Sequence, residues 1–517
     1  MSRTNRFLGG LGLGYLQQII IIVTGLWLTP FLLHRLGQHD YGLWLIITQA
    51  AAYLGLLDLG IIGLLPRETA AAVGRAGPES PDLPQLVGRA ARIVLLQFPI
   101  VAACSFCVWL LGRNMWRSAE SPLRVLLIAF VLTFPFRLFS AVLQGLQDLV
   151  FLGRVQIASW ALTTAASIAL VINGRGLMAL ALSSAAAQLV TTLACWSRLR
   201  LHFPGVLPDR MPRSSRAEIL AYMKKGAWIS TSQVAQMLTM GSDVLLVGKL
   251  LGAGAVVPYS CTGKLAGVLA NKPQMMMQVA FPGLSELRGG GSKPRIRRVT
   301  IALSQVMLSM SGAVACVVLA ANRAFVDWWI GPSQFGGGLL TLTIVVAMLV
   351  RHWNMTFGYS LFCFGYERRL ALTGLADGCV TVVVSIILVS LLGPIGAPLG
   401  MLTGICLVDM PANLMALGRE LETSPFALLA SSVGWLGRFL LASIGGMLLS
   451  RLWHPQGLLG FLALALIVGS AYFVLIVPVL MREPLGSYIR PRLLMLPEPF
   501  QRIVQLFPIK MPTVPTS

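Results

Sequence analysis

The sequence predicts an all-α integral membrane protein of about 14 transmembrane helices, and three observations carry that expectation. Of 517 residues 56% are hydrophobic and only 11% charged, which leaves too little polar surface to solvate a globular fold of this size. Apolar runs long enough to cross ~30 Å of hydrocarbon recur along the chain, separated by charged or Gly/Pro-rich breaks. The net charge of +21 would suggest nucleic acid in a soluble protein. Here the cations gather at the ends of the apolar runs, where they set topology and attract anionic lipid head groups, and no nucleic-acid partner is expected.

The runs fall at about 10–33, 41–65, 92–112, 123–147, 155–172, 177–196, 226–251, 257–283, 299–321, 339–363, 370–391, 394–417, 433–450 and 457–480. The first follows basic residues, but it is too long for a signal-peptide core and lacks an A-x-A-like exit, so it reads as a span. An even count puts both termini on one side. Segments on that side carry 27 Lys and Arg, the opposite loops 7, and the spans themselves 6. This roughly fourfold bias places both termini in the cytoplasm.

The longest cytoplasmic loop, 197–225, divides a bundle of six spans (1–196) from a second six (226–418), with two further spans in 433–480 and a basic, proline-containing tail at 481–517. The latter part of the loop, Ser214–Lys225, has a Ser-Ser-x-x-Glu start and apolar residues behind it, resembling a capped amphipathic helix on the inner leaflet. The breaks LGQHDYGLW (Leu36–Trp44) and LGAGAVVPYS (Leu251–Ser260) faintly echo one another, as related repeats would, with chance similarity of apolar sequence the alternative.

The most informative stretch is Val257–Leu287. It is long enough to span, yet it holds Lys264, Asn271, Lys272 and Gln278. A lysine in lipid costs ~3 kcal/mol or more, so such a residue normally faces a protein-lined or wet cavity. At 100° per residue, Ser260, Lys264, Asn271 and Gln278 form one polar stripe, with Lys272 to its side. Arg137 and Arg351 sit mid-span; together with the two lysines they suggest a cationic cavity for an anionic, lipid-linked substrate, and structural ion pairs or carbonyl clamps are the plainer alternative. Asp243 shares a face with Ser232 and Gln236 at a depth matching Lys264. It reads either as that lysine's ion-pair partner or as a proton or cation coupling site. Asp58 and Asp409 are similar but lie nearer the inner ends of their spans, and Pro135 and Pro273 mark breaks beside the polar stripes.

Enzyme chemistry finds no footing. There is no G-x-x-x-x-G-K-[ST], the 5 histidines are scattered, and no external loop is large enough to carry glycosyl-transfer residues. The 8 cysteines all lie in apolar segments, Cys104 and Cys107 included, where thiols act as small hydrophobes.

At Tyr53–Ala70, YLGLLDLGIIGLLPRETA, the chain resembles the polysaccharide (O-antigen type) flippases of the multidrug/oligosaccharidyl-lipid/polysaccharide exporter superfamily. LGQHDY after the first span, LQGLQ (Leu143–Gln147) closing the fourth, and Asp243, Leu251–Gly252 and Tyr259–Ser260 bridging the seventh and eighth agree in order. The resemblance implies two six-helix lobes in a V plus two C-terminal helices, with a cationic central cavity. It further implies transfer of undecaprenyl-pyrophosphate-linked oligosaccharide units, as for O-antigen or exopolysaccharide, to the outer leaflet of a bacterial cytoplasmic membrane by ion-driven alternating access. Lys264 is then the cavity cation of the eighth span and Arg67 the arginine closing the second; Asn271 is a substrate-contact candidate from its place on the polar stripe. The implied partner is polysaccharide polymerase machinery; no cofactor is expected beyond a coupling H+ or Na+. Gln17 and Gln18 stand where the lipid II branch carries a basic residue, which argues against a peptidoglycan precursor. A drug or cation exporter of the same superfamily is the main rival, and a membrane glycosyltransferase the remoter one.

Overall fold

In the computed structural model the described residues are 3–77, 80–208, 215–289, 293–430 and 432–493. Residues 209–214 of the expected linker, the tail beyond 493 and the side chains of Gln17 and Gln278 lie outside them. Among the described residues the chain is helical, with no strand. It forms two compact units, Met1–Val257 and Pro258–Ser517.

The first unit contains α1 (Arg3–Leu36), α2 (Gln38–Leu54), α3 (Ile61–Ala76), α4 (Asp82–Met115), α5 (Glu120–Thr133), α6 (Arg137–Gly145), α7 (Leu149–Ile172), α8 (Leu177–His202), α9 (Arg216–Met240) and α10 (Ser242–Leu251). Ile61, Leu65, Leu83, Val87, Phe134 and Val142 form the centre of its core. The expected helix cap is present: Ser215 Oγ accepts the Glu218 N–H at 3.2 Å, and from there α9 runs unbroken to Met240. Arg89 on α4 pairs with Glu218 at 3.6 Å, and Tyr222 is buried, so the amphipathic start of α9 packs on protein.

Helices α9 and α10 run antiparallel to α2 along a seam of small residues. Added β-carbons on Gly42 and Gly248 would overlap the Ala253 carbonyl and Ile46 respectively, and one on Gly241 would stand 2.6 Å from Gln49 Nε2. Backbones approach this closely only where side chains are absent. This contact places the expected seventh span in the same compact unit as the first six.

Helix α11 (Ala253–Gly289) leads into the second unit, which contains α12 (Lys293–Trp329), α13 (Gly338–Cys363), α14 (Glu367–Leu392), α15 (Gly396–Gly404), α16 (Met410–Glu420), α17 (Pro425–Ala430), α18 (Val433–Trp453), α19 (Gly457–Leu480) and α20 (Gly486–Leu493). A π turn, Ile405–Asp409, joins α15 to α16. Helices α18 and α19 dock on α12 through a polar relay: Trp435 Nε1 donates to Tyr472 Oη, which donates to the Ser309 carbonyl, each at 2.9 Å. The G-x-x-x-G-x-x-x-G stripe of Gly396, Gly400 and Gly404 lies against Leu388, Ser385 and Asp377 of α14.

By length and composition, 10 helices among the described residues could cross a membrane, or up to 12 if each of two bent pairs is one span. The expectation of about 14 is reached differently. It divides Glu367–Glu420 at the Gly393–Ile395 turn and counts α11, whose lysines and amides dilute its hydropathy. Leu111, Leu391, Leu459 and Leu466 point outward, while Asp58, His352, Asn354 and Asp377 are buried. That is the distribution expected of a multi-pass membrane protein, whose solvent is hydrocarbon.

Candidate functional site

In the first unit, the helical path of α5 ends at a 3₁₀ turn, Phe134–Phe136, and resumes as α6 at Arg137. Pro135 causes the break because it has no N–H to give the ladder. The break delivers Arg137 to a cavity of about 650 Å³, whose lining includes Thr48, Gly55, Thr133, Ser140, Gln188 and Thr191. The guanidinium carbon lies 5.8 Å from the centroid of the Phe130 ring. Its Nη1 stands 3.6 Å from where a β-carbon on Gly55 would be, and that nitrogen is buried with no hydrogen-bond partner among the described residues. Thr133 Oγ1 lies 3.3 Å from Gln188 Oε1, which continues a polar wall beside the cation.

Asp58 lies within electrostatic range of Arg137, but its own hydrogen bonds serve a helix break. Its Oδ1 accepts the Gly60 N–H at 2.9 Å, and its carbonyl accepts Gln97 Nε2 at 3.2 Å. Leu59 and Gly60 both have left-handed backbones, φ 49° and 73°. A β-carbon on Gly60 would overlap the Gly226 carbonyl of α9. The chain bends by 52° between α2 and α3 here. The L-D-L-G string is therefore the chemistry of a broken helix, with the carboxylate holding the Gly60 N–H at the break.

In the second unit, Arg351, Asp377 and Asp409 come together. Asp409 is the last residue of the π turn, a geometry frequent at functional sites. Its Oδ2 accepts Asn354 Nδ2 at 2.6 Å and its Oδ1 accepts Asn413 Nδ2 at 3.2 Å; Asn413 Nδ2 also donates to Asn354 Oδ1 at 3.0 Å. Asp377 is 2% exposed and accepts Thr381 Oγ1 at 3.2 Å. Arg351 is within electrostatic range of both carboxylates. A β-carbon on Gly404 would overlap Asp377, so the glycine stripe lets the carboxylate fit between α14 and α15. One residue past Arg351, His352 Nε2 faces Gln274 Nε2 at 3.3 Å and its Nδ1 faces Ser311 Oγ at 2.7 Å. With the amide donating, the ring carries its proton on Nδ1 and donates to the serine.

The remaining expected residues are placed as follows. Lys264 is half-buried on α11, just beyond Thr262, where Gly336 N–H donates to Thr262 Oγ1 at 2.7 Å and Asn322 Nδ2 to the Thr262 carbonyl at 2.9 Å. These bonds fix the turn from which the lysine projects. Asn271 and Lys272 are exposed further along α11, and Arg67 is exposed on α3. Asp243 opens α10, accepts the Val244 N–H at 2.8 Å and lies within electrostatic range of Tyr53. The sequence reading did not single out Asp377, Asn354, Asn413 or His352. A signal for the first was present, since Asp377, Thr381 and Ser385 recur every fourth residue opposite the glycine stripe.

A family model described as polysaccharide biosynthesis protein matches residues 98–335. The uncharacterized membrane protein EpsK of Bacillus subtilis (strain 168) is 22% identical over 389 residues, 72% of this chain and 74% of that protein. Among solved structures, a lipid II flippase MurJ in an inward closed conformation aligns with a TM-score of 0.64 at 10% identity, covering 92% of this chain and 99% of MurJ. A MATE transporter in its straight conformation aligns at 0.51 and 15% identity, covering 80% of this chain and 97% of that one. The folds agree, and these two solved structures are of a flippase and a transporter. The broken-helix strings, the match to a polysaccharide biosynthesis family over 98–335 and the fold shared with a lipid II flippase agree with one another, and together they liken this chain to the polysaccharide flippases.

Proposed function

We propose that the protein moves a lipid-linked oligosaccharide, joined to its carrier through a pyrophosphate, from the inner to the outer leaflet of a bacterial cytoplasmic membrane. The observation that carries the reading is Arg137, a membrane-depth cation with a buried, unpartnered N–H at a polar cavity wall. A buried donor of this kind costs free energy unless a ligand answers it, and pyrophosphate oxygens do so with charge-assisted bonds. Lys264 and Arg351 are further candidate substrate contacts, with Lys272, Asn271 and Arg67 as outlying ones; both termini are taken as cytoplasmic from the charge bias.

Alternating access requires a driving force, and Asp409 with Asp377 is the candidate coupling site, ahead of Asp243 and Asp58. Beside Asp409, Asn413 Oδ1 is a buried acceptor without a partner among the described residues, which suits H+ or Na+ arriving among oxygens. Probing whether lipid-linked glycan is reachable from outside in cells depleted of the protein tests the function. Glycan trapped inside, released by the wild type and not by Lys264→Glu or Arg137→Glu, is the expected result. Outward-facing glycan at normal levels would overturn the reading in favour of a drug or cation exporter.

A further inference from the structure

The face of α5 opposite the Arg137 cavity lines a second cavity, of about 430 Å³, between α4 and α5. Leu126, Phe130 and Thr133 face the first cavity, while Arg124, Leu127, Ile128 and Val131 face the second. At 100° per residue these two sets point in roughly opposite directions. The second cavity opens sideways, since Phe106, Ile128 and Leu132 on its rim are exposed. It is not purely apolar. Ser105 lines it and is 3% exposed. Among the described residues, Ser105 Oγ and Trp109 Nε1 are buried and have no hydrogen-bond partner. Arg124 lines the end nearest the α4–α5 turn, and Arg113 lies over the Trp109 ring at 5.7 Å.

The chain order fixes the depth of each group. A β-carbon on Gly112 would touch Leu123 at 2.5 Å, so the two helices meet side by side there. Trp109 and Ser105 then lie ~3 and ~9 Å deeper than Arg124, at ~1.5 Å per residue. A cation at the rim, two neutral donors beneath it and an apolar slot below match a phosphate, ester carbonyls and an acyl chain in that order. We propose that this groove seats one anionic diacyl phospholipid, with its phosphate on Arg124, ester carbonyls accepting from Trp109 and Ser105, and a chain along Phe106, Ile128 and Leu132. A polyprenyl carrier lacks ester carbonyls and would leave both donors unanswered. Because α5 itself separates the groove from the Arg137 cavity, this site is distinct from the proposed transport path. It requires only that the chain cross a membrane.

Native mass spectrometry of the purified full chain, titrated with phosphatidylglycerol, phosphatidylcholine or undecaprenyl phosphate, tests the assignment. The wild type should retain phosphatidylglycerol about fivefold more than phosphatidylcholine, the ratio expected of one cationic headgroup contact near a membrane surface. Arg124→Gln should abolish that preference, and Ile128→Trp, at a lipid-exposed position, should block the slot and reduce retention of both phospholipids. Size exclusion and circular dichroism check that each variant is folded. Phosphatidylglycerol retention unchanged in both folded variants would overturn the site. Undecaprenyl phosphate displacing phosphatidylglycerol in the wild type but not in Ile128→Trp would overturn the assigned occupant. Neither result bears on whether the protein is a flippase.

Discussion

The guanidinium of Arg137 lies directly over Gly55, its Nη1 3.6 Å from the position a β-carbon on that glycine would take. A proline break in one span thus aims a cation at the glycine of another, and no side chain intervenes. A charge-assisted contact to pyrophosphate contributes ~1.5–3 kcal/mol. Arg137→Gln should therefore lower transport by about 10- to 100-fold with insertion intact. Arg137→Lys should retain part of the activity, keeping the charge but losing the planar fork. Gly55→Ala should be tolerated, because 3.6 Å is ordinary contact, whereas Gly55→Val should crowd the guanidinium and approach the Arg137→Gln phenotype. Transport of labelled lipid-linked glycan in vesicles measures all four.

The glycine stripe of α15 predicts a sharp contrast in stability. A β-carbon at Gly400 would overlap Ser385, while one at Gly358 in α13 meets no atom within 4 Å. Gly400→Ala should destabilise by ~1–3 kcal/mol through overpacking. Gly358→Ala should be neutral or stabilising by up to ~1 kcal/mol, because alanine is the better helix former. Thermal unfolding midpoints in detergent, followed by intrinsic fluorescence, separate the two. Equal midpoints would mean that α14 and α15 do not pack as observed.

Much of this was legible in the sequence, for identifiable reasons. Apolar runs and the cation bias carried the membrane class because bilayer thickness and topology act on composition directly. The strings that carried the family resemblance proved to be helix-end chemistry: Gly37 and Gly60 take left-handed backbones, and Gln147 does so where the Asp148 N–H closes α6 on the Leu143 carbonyl at 3.1 Å. Such positions tolerate few residues, so they are more informative than the leucines around them. Arg137 was found because a charge mid-span is conspicuous. Asp377 was not, since its environment depends on Gly404 and the π turn, which bring it near Asp409 across more than 30 residues of chain. The Ser105–Trp109 groove was silent for a similar reason: a serine and a tryptophan in an apolar helix look like core until their donors are found unanswered.

The Asp409 cluster predicts a separation of binding from energy coupling. Asp409→Asn keeps an acceptor for Asn354 but removes the charge that H+ or Na+ would neutralise. The variant should insert, bind substrate with near-normal affinity and lose the acceleration of transport by an ion gradient, a coupling typically of ~5- to 150-fold. Asp377→Asn should show the same phenotype if the two carboxylates act together. Vesicle transport with and without an imposed gradient, beside substrate binding by the same variants, is the measurement. Normal gradient dependence in both variants would assign the cluster to structure alone.

The Lys293–Glu422 pair makes a pH prediction outside the membrane spans. Lys293 Nζ donates to Glu422 Oε1 at 2.6 Å, and both side chains are exposed. The hydrogen bond, and then the opposite charge, raise the lysine above its ordinary value and lower the glutamate below its own. A lowered carboxylate stabilises the fold above the ordinary range near ~4.3, and that contribution disappears as pH falls through the depressed value. A raised lysine stabilises below ~10.4 and loses its contribution as pH climbs past the elevated value. Stability from this pair should therefore be flat between these limits, small, and weakened by salt. Glu422 also sits at φ 51°, where α16 closes with the Thr423 N–H on the Gly418 carbonyl at 2.9 Å. Glycine suits that backbone better than glutamate. Glu422→Gly should accordingly raise the unfolding midpoint by ~1–2 °C at neutral pH and high salt, where the ion pair is screened. Glu422→Gln, which loses the charge and keeps the strained backbone, should lower it slightly at low salt and leave it unchanged at high salt. A Glu422→Gly midpoint below wild type at high salt, where the ion pair is screened, would show that glycine brings no backbone gain at this position.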